Sequence, residues 1–241
     1  MANTPEFLVR PNPITQKYYN LTRDVGESGA KDLTPDVDET ARINEVLDMP
    51  DFLSLSDPAK SLLWHFRYSL VPNKRALVKF LLAVDWSKEK EELESMSLLK
   101  SWAEIDIDQA LPMLSYLFSA NEVYKPKAGT SFPNYQSRFN EIRAIAVKCL
   151  EKQSPEQINS IMLQLVQAYR YECFSASPLR RFLLSKTVRN ETLAYTMHWH
   201  VKLEKENEDN GPMQQHYEQL YKDFMAALEV QNKEVYQNLM L

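Results

Sequence analysis

Ser154-Pro-Glu-Gln-Ile-Asn-Ser-Ile-Met-Leu-Gln-Leu-Val-Gln-Ala-Tyr169 is the stretch that decides the fold class. Ser154, with Pro155 behind it and Gln157 three residues on, is a capping-box pattern. The hydroxyl and the amide side chain each satisfy a backbone donor that the first helical turn leaves open. Ile158, Ile161, Met162, Leu165 and Tyr169 then recur at the three- and four-residue spacing of one helix face.

The same period runs outward in both directions. Upstream, residues 36–48 place Val37, Ile43 and Leu47 among acidic residues. Ser56-Asp-Pro58 opens a helix whose face carries Leu62, Leu63, Phe66 and Leu70. Pro72-Asn73 breaks the chain before Leu77, Phe80, Leu81 and Val84. Residues 87–101 read as charged outside, with Leu93, Met96 and Leu99 inward. Asp106 or Asp108 caps a helix with Ala110, Leu111, Leu114 and Phe118 in its stripe, and Pro112 inside it must kink the helix or mark a later start. Residues 119–134, with Pro126, Gly129 and Pro133, read as a long loop, and Phe139, Ile142, Ala146 and Cys149 restart the period. Downstream, helices are expected at about 178–188, 191–206 and 213–230 and from about 233, with Gly211-Pro212 as the penultimate break.

Residues 1–35 differ. Pro5, Pro11 and Pro13 restrict the backbone, Gly26-Glu-Ser-Gly29 is a loop signal, and Phe7-Leu-Val-Arg10 has the pattern of one short strand. The expected architecture is therefore all-α. It is a HEAT-like or ARM-like right-handed stack of antiparallel helix pairs, an α-α superhelix behind an extended N-terminal linker, with a compact bundle as the structural alternative.

Composition narrows the chemistry. The 241 residues contain four glycines, Gly26, Gly29, Gly129 and Gly211, too few and too scattered for a loop that cradles phosphate. A net charge of −5 without a basic stripe argues against nucleic acid as a partner. No apolar run is long enough to span a bilayer, and Met1 to Arg10 lacks the pattern of a signal peptide. Cys149 and Cys173 fall in predicted helices and read as buried thiols of a reducing compartment.

Each constellation with reactive side chains has a plainer reading. His198-Trp-His200 puts two imidazoles on different helix faces, with no further ligand spaced to complete a metal site. His65 and His216 read as packing or surface residues. Glu89-Lys-Glu91-Glu92 and Glu204-Lys-Glu206-Asn-Glu208-Asp209 are interleaved with lysine, as solvated helix faces are. Trp64, Trp86, Trp102 and Trp199 read as core. Arg180, Arg181, Lys186 and Arg189 form a basic strip on one helix and are the candidate interface, toward phosphate headgroups or an acidic partner. No catalytic, cofactor-binding or metal-ligating residue is expected.

Particular strings carry a resemblance. Leu62-Leu-Trp-His-Phe-Arg-Tyr68 and Asn73-Lys-Arg-Ala-Leu-Val-Lys-Phe-Leu-Leu-Ala-Val-Asp-Trp86 resemble the helical accessory (PIK) domain of phosphoinositide kinases. Leu98-Leu-Lys-Ser-Trp102, Asp106-Ile-Asp-Gln-Ala-Leu111 and Arg181 to Asn190 follow in the family's order, and Leu193 to Glu204 complete it. Arg143-Ala-Ile-Ala-Val-Lys-Cys-Leu150 and Gln164-Leu-Val-Gln-Ala-Tyr-Arg-Tyr-Glu172 are the most specific pieces. Asn12 to Arg23 resembles the segment that joins the C2 and helical domains in class III phosphatidylinositol 3-kinase. The 119–134 loop is longer than the family's turn.

The resemblance implies three regions: residues 1–35 as linker and tail of a C2 domain, 36–206 as the helical accessory domain, and 207–241 as helices leading towards a kinase domain. It implies a scaffold that positions C2 and kinase domains, in a cytoplasmic parent peripheral on endosomal or autophagic membranes. That parent would make phosphatidylinositol 3-phosphate with ATP and a divalent metal held in its kinase domain, beside a regulatory pseudokinase-like subunit. The family's catalytic and activation loops have no counterpart here, so no catalytic residue carries over. The alternatives are the helical domain of a class I 3-kinase or of a 4-kinase, a free-standing helical-repeat interaction protein, and an all-α enzyme with a buried site. The apolar end formed by Val235, Leu239, Met240 and Leu241 weighs against the free-standing reading.

Overall fold

Caps set where the helices begin. In the computed structural model, which describes residues 14, 23, 27–120, 135–172, 177–207, 209 and 211–240, every described element of regular structure is helical. The expected strand at 7–10 and most of the 119–134 loop lie outside these residues, as does Cys173. The fold divides into two compact units between Glu104 and Ile105, inside the 36–206 region expected as one domain.

In the first unit, one helical turn, α1 (Glu27–Ala30), stands where a loop was expected. Its last residue, Ala30, is buried, so packing overrides the local glycine signal. α2 (Val37–Asp48) opens on a capping box, with Glu39 N donating to Asp36 at 2.8 Å and Asp36 N donating to Glu39 at 3.0 Å. It buries Ile43, Val46 and Leu47 and leaves Val37 in water. α3 (Asp57–His65) starts at the Ser56 cap with Pro58 in its first turn, and α4 (Arg67–Leu70) continues past a break at Phe66. Asn73 caps a short 3-10 turn, Lys74–Ala76, that leads into α5 (Leu77–Ala83). Trp64 stacks on Phe80 with centroids 6.1 Å apart, and Phe80 on Trp102 at 4.9 Å, which ties α3 to α5.

α6 (Glu89–Ser101) keeps Leu99 inward as expected but turns Leu93 out. Leu93 faces solvent, while Glu91, Glu92, Glu94, Ser95, Leu98 and Leu99 are buried. The reason is ionic. Arg23 donates to both oxygens of Glu91 at 2.7 and 2.8 Å, and Arg67 reaches Glu94 at 2.5 Å with Tyr68 Oη donating to the same oxygen at 2.8 Å. A carboxylate so paired can be buried; an unpaired one cannot.

In the second unit, Asp106 is the cap of α7 (Ile107–Met113). The helix ends one residue after Pro112, and a 3-10 turn, Tyr116–Phe118, follows. α8 (Tyr135–Glu151) runs antiparallel to α7, because Cys149 Sγ meets Ile105 O while Arg143 Nη1 meets Leu114 O at the far end.

The Ser154 capping box forms as read. The helix it opens is split at Ile161 into α9 (Pro155–Ser160) and α10 (Met162–Ala168). Ser160 Oγ takes the Gln157 carbonyl at 2.8 Å, and Ile161 N turns to Ile158 O instead, so a hydroxyl interrupts the ladder. A 3-10 turn, Tyr169–Tyr171, follows.

α11 (Pro178–Thr187), α12 (Glu191–Glu206), α13 (Met213–Gln231) and α14 (Lys233–Leu239) match the expected spans within a residue or two. α12 and α13 are antiparallel, since Lys205 pairs with Glu218 at one end and His198 meets Tyr221 further along. Tyr217, Leu220, Phe224 and Leu228 of α13 are fully buried.

Candidate interaction surface

The two most specific strings of the sequence meet inside the second unit. Arg143, on α8, has a fully buried side chain, and its Nε is ion-paired with Glu172, equally buried. Its other nitrogens donate to Leu114 O at 2.8 Å and Ala168 O at 3.0 Å, carbonyls at the C-terminal ends of α7 and α10. The second Glu172 oxygen accepts from Ser177 Oγ at 2.6 Å and from Leu179 N at 3.2 Å, in the first turn of α11. Burial pulls the guanidinium below its ordinary pKa, and the Glu172 charge opposes that pull. Both Glu172 oxygens are engaged, so this carboxylate is a structural strut rather than a general base. Periodicity missed it because a buried Arg and Glu look like surface residues until their partner is known.

The four basic residues do not converge. Arg180 is ion-paired with Asp223, which also accepts from Gln219 at 3.0 Å. Lys186 donates to Glu151 O at 2.9 Å and lies 6.0 Å over the Phe182 ring. Arg181 and Arg189 are exposed, the latter beyond the end of α11. At roughly 100° per residue, positions 180, 181 and 186 also point in separate directions.

His198 is buried and sits 3.4 Å from Tyr221 Oη. Burial, then Lys202 and Lys205, lower its pKa. Among the described residues no three His, Cys, Asp or Glu side chains are grouped to hold a metal, and no helix is long and apolar enough to cross a membrane. His216 is buried and stacks on Tyr169 with centroids 4.1 Å apart and rings nearly parallel. Of the acidic runs, Glu204 pairs with Arg170 at 2.9 Å, and Glu91 and Glu92 are buried rather than solvated. Cys149 is a buried free thiol.

Three tryptophans anchor the first unit as expected. Trp64 Nε1 donates to Arg23 O, Trp86 Nε1 to Leu81 O and Trp102 Nε1 to Asn73 O, each at 3.2 Å. Trp199 does not belong to a core. It is 57% exposed, and Leu203, one turn on, is 64% exposed. The buried face of α12 is taken by Leu193, Ala194, Met197, His198 and Val201, which turns Trp199 outward with Lys202 Nζ 5.4 Å from its ring. An exposed Trp–Leu pair on a rigid 16-residue helix has the character of an interface anchor.

Residues 31–125 and 132–237 match the phosphoinositide 3-kinase family accessory domain (PIK domain). The chain is 36% identical over 194 residues to a phosphatidylinositol 3-kinase, root isoform, of Glycine max, covering 80% of this chain and 22% of that protein. It is 36% identical over 198 residues to phosphatidylinositol 3-kinase VPS34 of Arabidopsis thaliana, covering 82% and 22%. Against VPS34 of Saccharomyces cerevisiae it is 31% identical over 191 residues, covering 77% and 20%. The chain belongs to the PIK accessory-domain family of the phosphoinositide 3-kinases, and the class III resemblance read from its strings agrees with these relatives. It spans about a fifth of the length of the curated relatives it matches.

Proposed function

We propose that this chain is the helical scaffold of a class III phosphatidylinositol 3-kinase, holding C2 and kinase domains in fixed relation. The parent protein converts phosphatidylinositol to its 3-phosphate for endosomal trafficking and autophagy. A kinase domain outside this chain supplies the ATP and divalent-metal chemistry, and a regulatory pseudokinase-like subunit is the partner. The HEAT-like right-handed winding is part of this reading, and the antiparallel pairs α7/α8 and α12/α13 support it.

The observation that carries the proposal is the division of labour in the second unit. Its buried charges are spent on helix ends, while Trp199 and Leu203 are presented outward from a braced helix. A positioning domain needs a rigid interior and apolar anchors rather than reactive groups.

The test is lipid phosphorylation by the full-length protein on phosphatidylinositol vesicles with ATP and magnesium, comparing wild type with W199A/L203A. The expected result is phosphatidylinositol 3-phosphate from wild type, and a several-fold loss in the variant at unchanged melting temperature of the isolated chain. A native product that ends near this chain's own length would replace this reading with that of a free-standing adaptor.

A further inference from the structure

The turn between α2 and α3 holds two large apolar side chains in water. Phe52 is 69% exposed and Leu53 43%. This is a braced turn. Leu53 N donates to Pro50 O at 3.2 Å, and Leu55 is buried in the core of the first unit. Just before them Asp51 is 2.8 Å from Lys79, whose side chain is buried, and at the end of α2 Asp48 is 2.5 Å from Arg75, both at the surface. Apolar side chains held out between the Asp51–Lys79 pair before them and buried Leu55 after them are preorganised for contact.

Charge identifies what makes that contact. Residues 36–57 hold seven carboxylates against one guanidinium, Arg42; their net −6 exceeds the −5 of the whole chain. The α2 capping box accounts for Asp36 and Glu39. It does not account for Glu45 and Asp48, which stand in the last turn of α2, where the helix has no basic residue. Exposed carbonyls disfavour anions at that end, so these two carboxylates work against the helix that carries them. Arg75 offsets Asp48, and Glu45, three residues before Asp48, is exposed.

We propose that the α2–α3 turn is a docking surface for a basic amphipathic segment of another protein, whose apolar side chains cover Phe52 and Leu53 while its Lys and Arg residues meet Glu45 and share the exposed Asp48 with Arg75. An anionic membrane is the wrong counterpart for this rim, because its charge repels these carboxylates. The inference rests on the first unit alone and stands whether or not the kinase reading holds.

The test uses this 241-residue chain and a labelled synthetic Leu–Lys amphipathic helix of about eighteen residues. A counterpart with Glu for Lys, phosphatidylserine vesicles, and size-exclusion chromatography with light scattering complete the set. The Leu–Lys helix is expected to bind wild type, more weakly as salt rises, and about tenfold more weakly to F52S/L53S. E45Q/D48N is expected to lose the salt dependence. Both pairs lie at the surface, and circular dichroism melting confirms that each variant is folded. Equal binding of the Leu–Lys helix by F52S/L53S overturns the proposal. So does equal binding of the Leu–Glu helix, binding to vesicles in place of the peptide, or a Phe52-dependent dimer of the chain itself.

Discussion

Glu91 and Leu93 stand two residues apart on α6 with the burial that their chemistry alone would give the other: Glu91 is 4% exposed and Leu93 63%. The carboxylate is held by Arg23, by Asp85 N at 2.9 Å and by Lys88 at 3.2 Å, and Glu94 by Arg67 and Tyr68. Leu93→Gln is therefore expected to change unfolding free energy by no more than about 0.5 kcal/mol. Glu94→Ala strands a buried guanidinium and is expected to cost about 3 kcal/mol. Urea denaturation of the two variants decides the orientation of α6, and the reverse ranking would refute it.

Breaking the Arg143–Glu172 strut should cost more than removing it whole. Arg143→Met leaves Glu172 buried and charged, with a loss of about 3–5 kcal/mol expected. Glu172→Met should be comparable. The double variant is expected to be clearly more stable than the sum of the two losses implies, since neither charge is then left alone. A double-mutant cycle in urea measures this, and simple additivity would mean that the two residues do not act as a pair.

His216 makes the second unit acid-sensitive. Burial, partly opposed by a backbone contact with Tyr169, lowers its pKa from 6.5 to about 4. The folded ring is thus neutral where the unfolded ring has begun to take a proton. Stability from this group is flat above pH 6.5 and falls as pH drops from about 6.5 to 4, by roughly 3 kcal/mol in all. Subtracting the pH profile of His216→Phe from that of wild type cancels the shared carboxylates. The difference should slope through that window and be level above it.

Gly211 is the one described glycine with positive φ, at 49°, and an added Cβ would meet nothing within 4 Å. The cost of Gly211→Ala is then backbone strain alone, about 1 kcal/mol, and Gly211→Asn should cost less. Thermal melts of the two variants test this, and equal losses would point to a steric cause instead.

Much of this fold was legible in the sequence where local rules and burial agree. Ser56 and Ser154 cap the helices that local rules assign them, Asp106 is the cap of the two candidates 106 and 108, and the spans from Pro178 to Leu239 hold to within a residue or two. Some of the failures come from contacts distant in sequence and others from local choices that periodicity does not record. The orientation of α6 depends on Arg23 and Arg67, 68 and 27 residues away from their partners. The break at Ile161 depends on which carbonyl the Ser160 hydroxyl takes. Arg180 and Lys186 read as free charges of a strip because their partners, Asp223 and the Glu151 carbonyl, are invisible in one dimension. Trp199 was assigned inward because hydrophobicity alone does not say that five neighbours have already filled the buried face.

The Arg143 guanidinium reaches carbonyls on α7 and α10 and a carboxylate whose other oxygen is fastened to α11. The full set of partners is satisfied together only once all four helices have arrived, so the strut is completed late on the folding route. Its contribution should be missing from the transition state and act almost wholly as a brake on opening. Arg143→Met is then expected to leave the refolding limb of a chevron nearly unmoved and to steepen the loss of the native state over time. On that account the buried pair governs how long the scaffold stays assembled more than how fast it forms.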